Sequence, residues 1–255
     1  MTTHTNKQPS TYIAKQWSVD HQLLEQHAIE CLDSDTGRSR GPRRLLFLWH
    51  TDRDASLYSA LLGSDELHRA SRLVEKSDQA KFIVCRALVR IIVGQLTNTE
   101  PKKVRLPQDD RGKPCCPDLN GTISWSRSGD FALLGLSTAE KMGADIERLR
   151  PIEQLHAIAD QHFSCTERAL LASRRNAIDQ QSAFFRIWTL KEAYVKALGR
   201  GLAMPLASFS VAGDDGRYCA PGDGWEVESL LRQQYAIAIA QTLRPFPPAP
   251  GIDVI

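Results

Sequence analysis

Apolar and polar positions alternate along the chain in runs that suit both strands and helices. Arg44 to His50 carries the apolar run LLFLW and reads as a buried strand. Ser56 to Leu62 and Ser64 to Glu75 read as short helices, with Ser64 and Asp65 as caps of the second. From Lys81 to Leu96 the apolar residues Phe82, Cys85, Leu88, Val89, Ile92 and Leu96 recur at helical spacing. Val104 to Leu106 and Thr122 to Trp125 read as strands around a turn at Arg111-Gly112-Lys113-Pro114. Phe131 to Ser137 and Met142 to Glu147 read as a hairpin. Pro151 opens a helix to Ala159. Ser164-x-x-Glu167 is a capping box that opens another. The longest helix runs from Asp179 to Leu198 and stops at Gly199. Val211, Trp225 to Leu230 and Tyr235 to Ala240 complete a sheet. The expected fold class is α+β.

The folded body is expected from about Arg43 to Arg244. Before it, residues 1–41 read as an N-terminal extension, with a linker over the polar Asp33 to Pro42 stretch. After it, residues 245–255 read as a Pro-rich irregular tail. Each half offers strands and a long helix bearing an aromatic-to-basic stripe: Phe82, Arg86, Arg90 in one and Trp188, Glu192, Lys196 in the other.

Composition narrows the function classes. The 255 residues carry 42% apolar and 24% charged side chains and a net charge of +2. That balance is globular, and no basic run or aromatic-basic ladder points to nucleic acid. No apolar stretch has the length of a membrane span, and Met1 to Ser18 lacks an apolar signal core, so a cytoplasmic protein is expected. The 6 cysteines form no CxxC pair and no zinc spacing, which fits reduced thiols.

Three constellations carry chemistry. In Gly143-Ala144-Asp145-Ile146-Glu147, Asp145 and Glu147 lie two apart on a strand and share a face. Neighbouring carboxylates repel unless a cation lies between them, and a hard cation such as Mg2+ suits oxygen donors. The same pair also reads as a solvated strand end balanced by Arg148 and Arg150. In the helix Trp188 to Lys196, the residues Trp188, Glu192 and Lys196 form one stripe at four-residue steps. It reads either as a surface ion pair or as a metal ligand (Glu192) beside a phosphate-facing ammonium (Lys196). The third is a scatter of basic residues, Arg69, Arg72, Lys81, Arg86, Arg90 and Lys113, together with Ser126-Arg127-Ser128-Gly129. Such groups suit phosphate, and each alone is equally at home as a solvated or structural residue.

In this order and spacing the motifs resemble the phosphopantetheinyl transferases of the surfactin-synthetase-activating (Sfp) type. The family's Gly-x-Asp-x-Glu stands here as Gly143 to Glu147, and its Trp-x-x-Lys-Glu-x-x-x-Lys as Trp188 to Lys196. Phe163-Ser-Cys-Thr-Glu167, Gly199-Arg-Gly-Leu202, Gly112-Lys-Pro114 and Lys81-Phe82-x-x-x-Arg86-x-x-x-Arg90 match further family segments, so the resemblance spans roughly residues 44–240. It departs where the family has Ser-His-Ser: Arg127 replaces the histidine, which keeps a phosphate-binding charge but removes a group that titrates near neutrality. Ser124 stands for an asparagine, and Lys81 for an arginine.

The resemblance implies two similar α+β halves packed about a pseudo-two-fold axis, with residues 42–120 as the coenzyme A side and 121–244 carrying the metal and catalytic motifs. It implies transfer of the 4'-phosphopantetheine arm of coenzyme A to a serine of an apo acyl or peptidyl carrier protein, with release of 3',5'-ADP. Asp145, Glu147 and Glu192 would hold Mg2+, and Glu192 would also be a candidate general base, directly or through a water. Lys196 would neutralise the leaving phosphate. Arg72, Lys81, Lys113, Ser126 and Arg127 would hold the 3'-phosphate and adenine end of coenzyme A. The carrier would dock over Pro151 to Glu167, with Arg148, Arg150 and Phe163 among its contacts. A chain that holds both halves can act as a monomer. The alternatives are another Mg2+-dependent phosphoryl or nucleotidyl transferase, which the missing Walker A loop disfavours, and a catalytically impaired relative that binds carrier or coenzyme A.

Overall fold

In a computed structural model of the chain, residues 20–32 and 42–247 are described. The expected linker over Asp33 to Pro42, all but its last residue, and most of the Pro-rich tail lie outside these residues. The described backbone groups by contact into two compact units: Asp54–Val104 with residues 20–29, and residues 105–247 with 30–32 and 42–53.

The first unit is helical. It holds α1 (His21–Gln26), two 3-10 turns (Ala55–Leu57 and Ser59–Leu61), α2 (Ser64–Ser71) and α3 (Lys76–Leu96). The expected helix at Ser56 to Leu62 is therefore two tight turns, too short for an α-helical run. Helix α2 is capped at Gly63, whose N–H donates to Glu66 Oε2 at 3.2 Å, in place of the caps expected at Ser64 and Asp65. Val104 to Leu106 is not a strand, because Val104 O is taken by Arg90 Nη1 at 2.8 Å.

The second unit holds both sheets and the C-terminal helices. One sheet has the order β1-β2-β4-β3, built from Ile29–Cys31, Arg44–His50, Thr122–Ser128 (β3) and Phe131–Ser137 (β4). The strand β1 lies inside the stretch read as an extension, where three residues are too few to carry a periodic signal. The other sheet has the order β5-β7-β6, from Met142–Arg148 (β5), Trp225–Arg232 (β6) and Tyr235–Thr242 (β7). Phe131–Ser137 and Met142–Arg148 are both strands, but they do not form the expected hairpin. Strand β4 has β2 on one edge and β3 on the other, so no edge is left for β5, which pairs with β7. Val211 joins no strand and is a buried loop residue.

Around these sheets run α4 (Leu155–His162), α5 (Cys165–Ala172) and α6 (Ala177–Leu198). The α5 capping box forms as read: Ser164 N donates to Glu167 Oε2 at 2.8 Å and Glu167 N to Ser164 Oγ at 3.2 Å. Gly199, at φ +64°, ends α6 in the left-handed conformation that glycine adopts without steric cost.

Strand β7 explains how α6 is seated. Its sequence alternates small and large residues. Ala236, Ala238 and Ala240 belong to the core that includes α6 residues Phe184, Ile187, Leu190, Ala193 and Ala197. Ile237 and Ile239 belong to a second core, with Leu46, Leu48, Leu133, Ala144 and Ile146. Period-two alternation thus turns one face of the sheet toward the helix and the other toward the strands of the first sheet. The small residues on the helix side let α6 lie close.

Glu167 does more than cap. Lys191 Nζ meets Glu167 Oε2 at 2.8 Å with both side chains fully buried, and also donates to the carbonyls of Leu206 and Phe209 at 2.8 and 2.7 Å. Glu167 Oε1 accepts from Val211 N at 2.7 Å. The ammonium therefore joins α5, α6 and the 206–211 loop. Glu167→Ala would leave Lys191 buried without its counter-charge, and we expect a loss of about 3–5 kcal/mol in urea unfolding. A double variant, Glu167→Leu with Lys191→Met, is expected to recover much of that loss.

Candidate active site

Asp145 and Glu147 project from β5 on the face turned toward α6, and Gly143 begins that face. A Cβ at Gly143 would stand 2.0 Å from Ala193 O and 2.5 Å from Ala197 N, so only glycine lets the helix backbone come this near. This approach carries Glu192 and Lys196, one turn apart on α6, to the two carboxylates of β5.

Asp145 is 4% exposed. Its Oδ1 accepts from Lys196 Nζ at 2.6 Å and from Ser126 Oγ at 2.6 Å, and Lys196 Nζ also donates to Ser126 Oγ at 3.0 Å. Its Oδ2 is buried with no hydrogen-bond partner among the described residues. Glu147 Oε2 accepts from Ser128 Oγ at 2.6 Å, and the guanidinium of Arg150 stands 3.6 Å away.

Electrostatics bind the third carboxylate to this pair. Burial raises the Glu192 carboxyl above its usual range, and the charges of Asp145 and then Glu147 add to the rise, while Lys196 opposes it. Burial likewise raises Glu147, against the Ser128 hydrogen bond, with Asp145 adding to the rise and Arg150 and Lys196 opposing it. Two carboxylates whose charge is opposed by burial and by Asp145, beside an Asp145 oxygen that is buried and orphaned, make a donor set suited to a hard cation. As the side chains stand, among the described residues no three His, Cys, Asp or Glu groups converge on one point. The resident cation is the Lys196 ammonium, and Glu147 Oε2 is held by Ser128.

Comparison with known proteins places this arrangement. The family model described as the 4'-phosphopantetheinyl transferase superfamily matches residues 141–240, from the start of β5 through most of β7. The 4'-phosphopantetheinyl transferase ffp of Bacillus subtilis is 33% identical over 66% of this chain and 72% of its own length. The chain belongs to the 4'-phosphopantetheinyl transferase family. The transferase HetI of a Nostoc species is 37% identical over 57% of this chain, a stretch that spans only 62% of HetI. The transferase Sfp of Bacillus subtilis is 30% identical over 60% of this chain and 67% of its own length. A holo-(acyl-carrier-protein) synthase from Bacillus anthracis, crystallised with CoA (3',5'-ADP), aligns over 42% of this chain at 19% identity. Its TM-score of 0.36 is too low to carry any argument.

The structure brings Asp145, Glu147, Glu192, Lys196 and Ser126 into one neighbourhood. Arg127 follows Ser126 on β3 and is exposed. Arg148 and Arg150 are exposed just past Glu147. Arg72 is exposed at the end of α2 and Lys81 is half-buried on α3, both in the helical unit. Phe163 needs correction as a partner contact. It is 2% exposed and packed on Phe184 with ring centroids 5.1 Å apart, so it has no face to offer a partner. Arg86 and Arg90 are not available to phosphate either, because both bind Glu66, at 2.6 and 2.7 Å. Arg90 also donates to the carbonyls of Pro101, Lys102 and Val104. The sequence signal for this pairing is Glu66 itself, an acid in the first turn of α2.

Lys113 lies at the tip of the 109–114 turn, where its Nζ donates to Ala197 O at 2.8 Å near the end of α6. It lines a small cleft of about 280 Å³ with Asp109, Arg111, Lys141 and Gly199. Burial pushes its pKa down to about 8, with Lys141 acting in the same direction and Asp109 against it. Below about pH 8 the folded protein holds this ammonium at a cost. Between about 8 and the unfolded value of 10.5 the unfolded chain binds more protons, so this residue makes stability rise with pH. The expected result is that Lys113→Met flattens that rise in denaturant midpoints measured from pH 7.5 to 10.5.

Proposed function

We propose that this transferase moves the 4'-phosphopantetheine arm of coenzyme A to a serine hydroxyl of an apo carrier protein in a Mg2+-dependent reaction. The observation that carries the metal reading is the buried, unpartnered Oδ2 of Asp145, set beside two further carboxylates whose charges burial opposes. Asp145, Glu147 and Glu192 would hold the ion. Bound there, Mg2+ would offset the negative charge that develops on the pyrophosphate during transfer.

The chain's own groups account for the rest of the step. The carrier serine oxygen attacks the β-phosphorus, the bond to the bridging oxygen breaks, and 3',5'-ADP leaves. Glu192 is the candidate base for the serine proton, directly or through a water, and the water is the favoured route because a carboxylate that ligates a metal is a weak base. Lys196 is the candidate cation for the leaving phosphate. Its Nζ already lies in the cluster, on a side chain that is 33% exposed. Lys113, Ser126 and Arg127 of the sheet unit, with Arg72 and Lys81, are the proposed coenzyme A contacts.

The carrier is proposed to dock along the stretch that follows β5. A largely apolar groove of about 580 Å³ opens there, lined by Pro151, Ile152, Leu155, Ala157 and Ile178, the last 75% exposed. Arg148 and Arg150 flank its start and would attract an acidic surface. Among the described residues no helix is long and apolar enough to cross a membrane. A cytoplasmic monomer is the proposed working form. Chromatographic detection of 3',5'-ADP tests the function: release is expected only with coenzyme A, Mg2+ and an apo carrier together. Consumption of ATP in place of coenzyme A, read as 5'-ADP or AMP, would point to the rival phosphoryl or nucleotidyl transferase.

A further inference from the structure

Strand β3 carries serines at alternate positions, Ser124, Ser126 and Ser128, and each reaches β5, a strand of the other sheet. Strand β5 has β7 on one edge. On its other edge, the N–H groups of Ala144 and Arg148 donate to hydroxyls, Ala144 N to Ser124 Oγ and Arg148 N to Ser128 Oγ, each at 3.0 Å. Two residues four apart on a strand turn their amides to the same side, so the serines stand where a neighbouring strand's carbonyls would otherwise be. The two sheets are thus joined along this edge by side chains.

Ser128 has a second duty. A hydroxyl has one proton to give. With Arg148 N–H on its lone pair, Ser128 Oγ directs that proton to Glu147 Oε2 at 2.6 Å. Arg150 also stands near Glu147, at 3.6 Å, a longer contact made from a side chain that is 61% exposed. The turn that follows fixes Ser128 in place. Gly129 and Asp130 link Ser128 to its β4 partner Phe131, and Gly129 has φ +57°. A Cβ on Gly129 would meet Tyr235 Oη at 3.0 Å and Arg148 Cδ at 3.1 Å. The hairpin end is therefore pressed against the ends of β5 and β7, with Ser128 locked over Glu147.

We propose that Ser128 is a positioning residue for Glu147: by holding Oε2 from the neighbouring sheet, it aims this carboxylate for metal binding alongside Asp145. The inference rests on the metal reading given above. It is tested on the full chain with Mn2+ as the probe, followed by electron paramagnetic resonance, alongside the Mg2+ dependence of turnover. Ser128→Ala is expected to weaken Mn2+ binding about tenfold and to raise the half-saturating Mg2+ concentration by a similar factor. Turnover at saturating Mg2+ should change much less. Ser128→Thr, which keeps the hydroxyl, should restore Mn2+ binding to within about twofold of the parent. A purely structural serine would lower the unfolding midpoint in the alanine variant and leave Mn2+ affinity alone. Unchanged Mn2+ affinity in Ser128→Ala, with normal binding to the parent, overturns the positioning role only. A parent that binds no Mn2+, with or without coenzyme A, overturns the metal reading and the positioning role together.

Discussion

Asp145→Ala is expected to lower kcat/KM for the carrier reaction on the order of 10²–10³-fold, the scale for losing one main charge-stabilising contact at a reacting centre. The carboxylate holds two other functional groups: Oδ1 is shared by Lys196 and Ser126, and Oδ2 is the buried oxygen with no partner among the described residues. Removing it takes away a metal donor and the anchor of the ammonium in one change. The cost to folding should be small by comparison, about 1 kcal/mol. The alanine deletes an unsatisfied buried oxygen, and Lys196, one third exposed, can turn to water. Steady-state kinetics with thermal unfolding of the same preparation separates the two effects. A variant that folds and keeps more than half its activity would remove Asp145 from the site. Asp145→Asn should be nearly as inactive as alanine, because the shape survives and the charge does not.

Gly143→Ala is expected to be the most damaging single methyl in the protein. The added carbon would lie 2.0 Å from Ala193 O and 2.5 Å from Ala197 N, both backbone atoms of α6 that no rotamer change can move. The helix must shift as a body, and Ala193, Ala197 and the β7 alanines that seat it are already in contact. Overpacking of a core costs about 1–3 kcal/mol where side chains can yield, and more where they cannot. We expect more than 3 kcal/mol here, seen as a fall of roughly 6–12 °C in melting temperature. Below that temperature activity should still be low, because moving α6 carries Glu192 and Lys196 off the β5 carboxylates. A melting temperature within 2 °C or so of the parent would show that the helix approach is not as tight as described.

The parts of the site that were legible in the sequence depend on local geometry. Asp145 and Glu147 share a face because strands repeat every two residues, and Glu192 and Lys196 share one because helices repeat nearly every four. The Ser164 to Glu167 box and the Gly199 stop are likewise local. What sequence reading misses depends on partners far along the chain. Strands β4 and β5 are adjacent in sequence with an ordinary turn between them, yet β2 arrives from far upstream to fill the edge of β4 that a hairpin would need. Phe163 reads as a surface aromatic until Phe184 on α6 covers it. Arg86 and Arg90 read as phosphate ligands until Glu66 on another helix claims both. Ser128 reads in the sequence as part of the phosphate-suited Ser126 to Gly129 stretch, and nothing local ties it to Glu147. Only the meeting of two sheets shows what its hydroxyl does.

The central claim is that these carboxylates and Lys196 support transfer from coenzyme A to a carrier serine. The most direct measurement is the intact mass of a panel of apo carrier proteins incubated with the purified chain, coenzyme A and Mg2+. The account predicts the mass gain of one phosphopantetheine on at least one carrier, absent with EDTA and absent with Asp145→Ala. A gain that persists in EDTA would contradict the metal assignment, and no gain on any carrier by a folded, coenzyme A-binding protein would contradict the proposed activity itself.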